Sequence, residues 1–196
     1  MNDRMHHRIE INRAPVLTLW PAVVAERLGF DWEEALTLGR AVAGLNAYSK
    51  GKALGLFEPT PEAVREREQL RRQKGAFSID LLNRKVPAVH TEAGIRALQK
   101  DQPTNPISVT GYLERAFGDT FEDARNAMTL LARSHDPNEL AAAGDRLYEE
   151  FRPAIPGVRG WGAKRCLDLD QIQAMADDVR HSNARSHKRS HGQEER

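Results

Sequence analysis

The sequence predicts a mainly α-helical fold, a multi-helix orthogonal bundle with one or two short β-strands, on three observations. Apolar residues recur at three-and-four spacing along most of the chain, the period of a helix with one buried face. Helix-start signals precede these stretches at Asp31-x-x-Glu34, Thr60-Pro61, Asp119-x-x-Glu122 and Asp136-Pro137-x-Glu139, as capping boxes or first-turn prolines. Strand-like alternation is confined to Ala76–Leu82, where Phe77, Ile79 and Leu81 alternate with Ser78 and Asp80, and to a second candidate at Ile107–Val109.

The first element spans Ala14–Leu28, with Pro15 in the first turn and Gly29 as the stop. Pro21 removes a backbone hydrogen bond, so the helix is expected to begin or bend there. Asp31 opens the second helix, whose stripe is Ala35, Leu38, Ala41, Val42 and Leu45. Gly39, Ala43, Gly44 and Ala47 leave room for another backbone on that helix. After a short apolar segment at Leu54–Phe57, Glu62–Lys74 is almost wholly charged and reads as a solvated helix stopped by Gly75. A short helix capped by Thr91 is expected over Thr91–Lys100, followed by a turn at Asp101–Pro106. Gly111–Phe117, Phe121–Arg133 and Leu140–Phe151 continue the helical pattern, and Pro153 and Pro156 end it. Asp168 or Asp170 caps a last helix, Gln171–Val179.

The 196 residues carry 29 Lys+Arg against 28 Asp+Glu and a single cysteine, a composition that suits one globular domain and excludes a disulfide scaffold. The expected organisation is a mobile start at 1–11, a helical domain at 12–179, with room for two lobes joined near 60–110, and a disordered basic tail at 180–196. From Arg180 onward there are five Lys+Arg and two Glu, so the preceding residues hold 24 positive and 26 negative charges. Such a tail has nothing to bury against its ordering entropy. The longest apolar run, Ala14–Ala25, is broken by Thr18 and Pro21 and is too short for a membrane span. Met1–Glu10 lacks the apolar core of a signal peptide. An intracellular location, cytoplasmic or nuclear, is the expectation.

Four basic clusters stand out. Ser49-Lys50-Gly51-Lys52 is a Gly-containing turn that could meet a phosphate, although it lacks the glycine pattern and the following Ser or Thr of a P-loop. Arg159-Gly160-Trp161-Gly162-Ala163-Lys164-Arg165 flanks an indole with glycines and cations, which suits stacking on a base as well as a tight buried connection. Arg65, Arg67, Arg71, Arg72 and Lys74 form a run offset by Glu66 and Glu68, and Asn83-Arg84-Lys85 adds a fourth. Ala22–Leu45 also fits a helix-turn-helix template, but its second helix would present Asp31, Glu33 and Glu34 to phosphates. A plain helical hairpin is the better reading.

Catalytic and metal signals are weak. The H-x-x-x-H pair His187/His191 lies in the basic tail and no cysteine cluster occurs, and neither a metal nor a cofactor is expected. His90, His135 and Cys166 are the only obvious reactive side chains near structured segments; Cys166, beside Lys164 and Arg165, has room for a lowered pKa.

The stretches INRAPVLTLW (Ile11–Trp20), AERLGF, EALTLGRAVAGLNA (Glu34–Ala47) and GWGAK resemble a group of functionally uncharacterised proteins. The resemblance covers most of the chain outside the tail and implies no activity, ligand or catalytic residue. The residues themselves favour a non-enzymatic nucleic-acid-associated protein, with Lys50, Lys52, Arg159, Trp161, Lys164 and Arg165 as its phosphate and stacking surface. Its expected partners are DNA or RNA, with no membrane. One alternative is an enzyme or small-molecule binder whose pocket is assembled from residues distant in sequence. Another is a helical interaction module that forms homo-oligomers through the 35–47 helix.

Overall fold

A computed structural model of the chain describes residues 8–53, 75–154 and 163–191. The order of its elements is β1 (Arg8–Ile11), α1 (Arg13–Arg27), α2 (Trp32–Ala53), β2 (Ala76–Leu81), β3 (Arg84–Thr91), β4 (Gly94–Gln99), β5 (Gln102–Pro103), α3 (Pro106–Phe117), α4 (Phe121–Arg133), α5 (Pro137–Phe151), β6 (Arg165–Asp168) and α6 (Leu169–His191). The fold is therefore mixed α/β, not mainly α with one or two strands. Six strands form two antiparallel sheets, β1-β6 and β2-β3-β4-β5.

Three helix starts follow their local signals, whereas the capping box read at Asp119 does not form: α4 follows Thr120 with no side-chain cap bond. Asn12 caps α1, its Oδ1 accepting from the Ala14 N–H at 3.1 Å. The helix runs unbroken through Pro21, so it does not begin there. Burial explains this: every residue from Leu19 to Ala25 is buried, and packing on that scale outweighs the roughly 3 kcal/mol cost of an interior proline. At the start of α2 the Asp31 N–H donates to Glu34 Oε2 at 3.1 Å, one arm of the expected capping box. Asp136 caps α5 by accepting from the Asn138 N–H at 2.9 Å, and Asp168, of the two candidates, caps α6 by accepting from the Gln171 N–H at 3.2 Å.

The strands account for the differences. Ala76–Leu81 is the expected strand, but Gly94–Gln99 is a strand in place of a helix at Thr91–Lys100. Two-residue turns at Leu82-Asn83 (φ 46° and 56°) and Lys100-Asp101 (φ 50° and 63°) fold the chain back, the backbone twist that tight hairpins prefer. Helix α2 then finishes the β4 edge. Glu34 Oε1 accepts from the Ile95 N–H at 2.7 Å, and Thr37 Oγ1 accepts from the Ala97 N–H at 3.0 Å. Arg96, buried, donates to Glu33 Oε2 at 2.8 Å. Two of the three carboxylates that spoiled the helix-turn-helix reading, Glu33 and Glu34, are thus the bolts that hold sheet to helix.

Ile107–Val109, the second strand candidate, lies in α3, where Asn105 accepts from the Ile107 N–H at 2.9 Å and Pro106 takes the first turn. Ile107 is 78% exposed and Val109 buried, so the two do not share the face that alternation requires. Arg8–Ile11, read as a mobile start, pairs with β6 from Arg8↔Asp168 to Ile11↔Arg165, and Ile9, Ile11 and Leu167 join the core. The basic segment beyond Val179 continues α6 as far as His191 instead of leaving the fold disordered from Arg180. One core cluster includes residues of all six helices together with Leu81, Val86 and Ala97 of the larger sheet and Leu82 of its first turn, among the described residues. The solvated helix at Glu62–Lys74 and the apolar segment at Leu54–Phe57 lie outside them.

Helices α1 and α2 pack most extensively. At Gly39 an added Cβ would stand 2.3 Å from the Thr18 carbonyl oxygen and 2.9 Å from the Ala22 nitrogen. At Gly39 the small-residue face of α2 therefore meets α1 of the same chain. Among the described residues, no helix is long and apolar enough to cross a membrane.

Candidate functional site

A cavity of about 380 Å³ opens where α1 begins, α5 ends and the second half of α2 passes. Each wall follows from local structure. Asn12 ends β1 and starts α1, which sets Arg13 as the first helical residue. Its Nε donates to the Pro153 carbonyl at 2.7 Å, bringing the guanidinium beside the end of α5. There Arg152 donates to the Glu149 carboxylate. The Leu82-Asn83 turn delivers Arg84, which donates to Asn46 and Ser49 on α2. Leu17, Ala43 and Ala47 supply an apolar side.

Tyr148 belongs to the buried stripe of α5 and is 4% exposed. Its hydroxyl is sealed from solvent with no hydrogen-bond partner among the described residues. An unmade bond of this kind costs about 1–3 kcal/mol. Burial first, and then Glu149 and Asp145, push the Tyr148 hydroxyl well above the usual phenol range, against the pull of Arg13 and Arg152. Burial and the neighbouring Arg152 lower Arg13. Two like-charged guanidinium groups and a neutral, unpartnered phenol donor therefore line one cavity, and charged and neutral donors together are what an anion needs.

The phenol makes a prediction about stability. Because the folded-state pKa of Tyr148 is raised above the ordinary phenol value of 10.0, the unfolded chain loses its proton first, so stability present below pH 10 declines as pH rises beyond it. Tyr148→Phe is expected to unfold at the same or a higher temperature at pH 7 and to lose less stability above pH 10 than the parent. Thermal unfolding followed by circular dichroism between pH 7 and pH 11 checks both.

The sequence-predicted basic surface is placed only in part. Lys50 and Lys52 belong to the last turns of α2, with their side chains outside the described residues, as are Arg159 and Trp161. Lys164 is exposed just before β6. Arg165 opens β6 opposite Ile11 and has a buried Nε without a partner among the described residues.

The reactive candidates do not converge. His90 stacks on Phe77 at 4.7 Å on the larger sheet, and His135 Nδ1 lies 3.1 Å from the Leu131 carbonyl at the end of α4. Cys166 is exposed on β6. Its thiol is pushed up by desolvation, and further by Asp168 and Glu10 against Arg8. The lowered pKa that Lys164 and Arg165 leave room for is therefore not found: desolvation outweighs the pull of Arg8, and neither flanking cation contributes. None of the three lines the cavity, and no cluster of three or more metal-ligating side chains occurs among the described residues.

Sequence reasoning missed Arg13, Tyr148 and Arg152. An arginine directly after an Asn cap, and a tyrosine on an otherwise aliphatic helix stripe, were the signals available. No family model, curated protein or solved structure matches the chain.

Proposed function

We propose that the protein binds a small organic anion in the arginine-lined cavity. The observation that carries this reading is the sealed Tyr148 hydroxyl, a donor with no acceptor among the described residues, beside Arg13 and Arg152. A volume near 380 Å³ falls in the range of small-ligand sites, about 300–1,000 Å³. It is far too small for a duplex. Charge-assisted hydrogen bonds from guanidinium groups supply orientation, and the aliphatic side accepts an apolar portion.

Isothermal titration of the full chain with octanoate, octyl phosphate and 1-octanol tests the reading. Saturable binding of at least one acid, with none of the alcohol, is expected, and Arg13→Gln should weaken it at least tenfold while leaving the unfolding temperature within a few degrees. Failure of both acids, or equal binding of the alcohol, sinks the proposal.

A second reading, nucleic-acid association through Lys50, Lys52, Arg159, Trp161, Lys164 and Arg165, draws support from one arrangement. Ser49, next to Lys50, lines the same cavity as Arg13, and Arg165 pairs with Ile11, two residues before Arg13. The described neighbours of both basic stretches thus meet at one end of the domain. Binding of single-stranded or duplex DNA or RNA that weakens steeply with salt is its expected signature. Absence of binding at low salt ends it.

A further inference from the structure

We infer that the cavity selects a monocarboxylate with an apolar body over a phosphate monoester. The inference rests on the organic-anion reading above and adds the chemical class of the ligand. Charge decides between the two heads. Among the described lining residues Arg13, Arg84 and Arg152 face two carboxylates, Asp145 and Glu149, so one positive charge is in excess. A carboxylate neutralises it. A phosphate monoester carries about −1.5 to −2 at neutral pH and would leave surplus negative charge beside Asp145 and Glu149.

The existing bonds narrow the contacts further. Arg152 is held by Glu149, and Arg84 by the neutral Asn46 and Ser49. Arg13 uses only its Nε, on the Pro153 carbonyl at 2.7 Å, and no bond from its terminal nitrogens is seen among the described residues. Arg13 therefore supplies the uncompensated charge. Its planar fork suits the two oxygens of a carboxylate. Tyr148 lines the same cavity; its hydroxyl, sealed and unpartnered in the unliganded chain, becomes a further donor when the ring shifts toward a carboxylate oxygen, and no proton leaves the phenol. Leu17, Ala43 and Ala47 line the same cavity, and their aliphatic side chains fit a methylene chain in place of water.

Competitive titration calorimetry on the full chain separates head from body. Octanoate is expected to bind at least tenfold tighter than acetate, because the body contributes, and at least fivefold tighter than octyl phosphate, because the charge matches. Inorganic phosphate should bind more weakly than octanoate. Tyr148→Phe should weaken octanoate at least threefold, and an unchanged unfolding temperature certifies the fold. Octyl phosphate binding as tightly as octanoate overturns the carboxylate inference while leaving the anion reading intact. Equal affinities for acetate and octanoate remove the apolar body. A Tyr148→Phe chain that binds octanoate as the parent does removes the phenol contact, and with it the inference. Failure of octanoate and octyl phosphate together removes the anion reading itself.

Discussion

Gly39→Ala is expected to destabilise the protein, whereas Gly44→Ala, on the same helix, stabilises it. Both changes gain helix propensity, about 1 kcal/mol per glycine replaced. At Gly44 the new methyl meets only Gln99 Nε2 at 4.0 Å, an ordinary contact with the end of a flexible side chain. At Gly39 it would meet backbone, with the Thr18 oxygen at 2.3 Å and the Ala22 nitrogen at 2.9 Å, and a helix backbone has no rotamer with which to yield. Overpacking of this kind costs about 1–3 kcal/mol and more where α1 must shift as a body. The opposition of signs makes the test sharp. Denaturant unfolding of the two variants should show midpoints displaced in opposite directions, with Gly39→Val displaced further than Gly39→Ala.

Trp20→Ala should cost more than any other truncation in the core, about 3–5 kcal/mol. Trp20 is fully buried. Its indole Nε1 donates to the Gly144 carbonyl on α5 at 2.7 Å, and its ring meets Phe151 edge-on with centroids 5.3 Å apart. One side chain thus joins α1 to α5 through volume, a hydrogen bond and ring geometry at once. The bond is to backbone, and a Cβ at Gly144 would meet Leu82 and Val24 at 3.6–3.7 Å, ordinary contact distances. With total stability of about 5–15 kcal/mol for a domain, the loss should lower the unfolding temperature by roughly 10 °C or more. Trp20→Phe, which keeps an aromatic ring and loses the hydrogen bond, should fall between the parent and the alanine variant.

Helices α5 and α6 were readable because their information is local. Asp136 and Pro137 define where α5 starts, and Leu140, Leu147 and Phe151 then repeat along one face within fifteen residues. The β1-β6 ribbon was not readable, since RIEI and RCLD are four residues each and their pairing joins Arg8 to Asp168. Nothing nearby in the chain announces such a partner. Gly94–Gln99 failed for a related reason: its strand state depends on Glu34 and Thr37, which come from α2, and tertiary partners override local propensity. The turn at Leu82-Asn83 also hid its nature, because a leucine at φ 46° is tolerated there by burial and gives no turn signal.

The same distinction governs the site. Basic clusters are visible in a sequence because charge is counted residue by residue, and Lys164 is exposed as that counting suggests. The cavity draws Arg13 from α1, Ser49 from α2, Arg84 from β3 and Tyr148 from α5, each unremarkable alone. Arg84 belonged to the Asn83-Arg84-Lys85 cluster, yet its partners Asn46 and Ser49 come from another helix. Only packing brings a second guanidinium and an unsatisfied phenol alongside one another, and that arrangement carries the chemistry.

Three tyrosines occur in the chain, so a ¹³C label on the tyrosine ring carbon that bears oxygen gives a spectrum simple enough to follow Tyr148 directly, with Tyr148→Phe identifying its resonance. During an octanoate titration the Tyr148 signal should move saturably, while those of Tyr48 and Tyr112, neither of which lines the cavity, stay in place. A Tyr148 signal that does not move while octanoate binds, or moves only with the other two, contradicts the assignment of this cavity as the binding site.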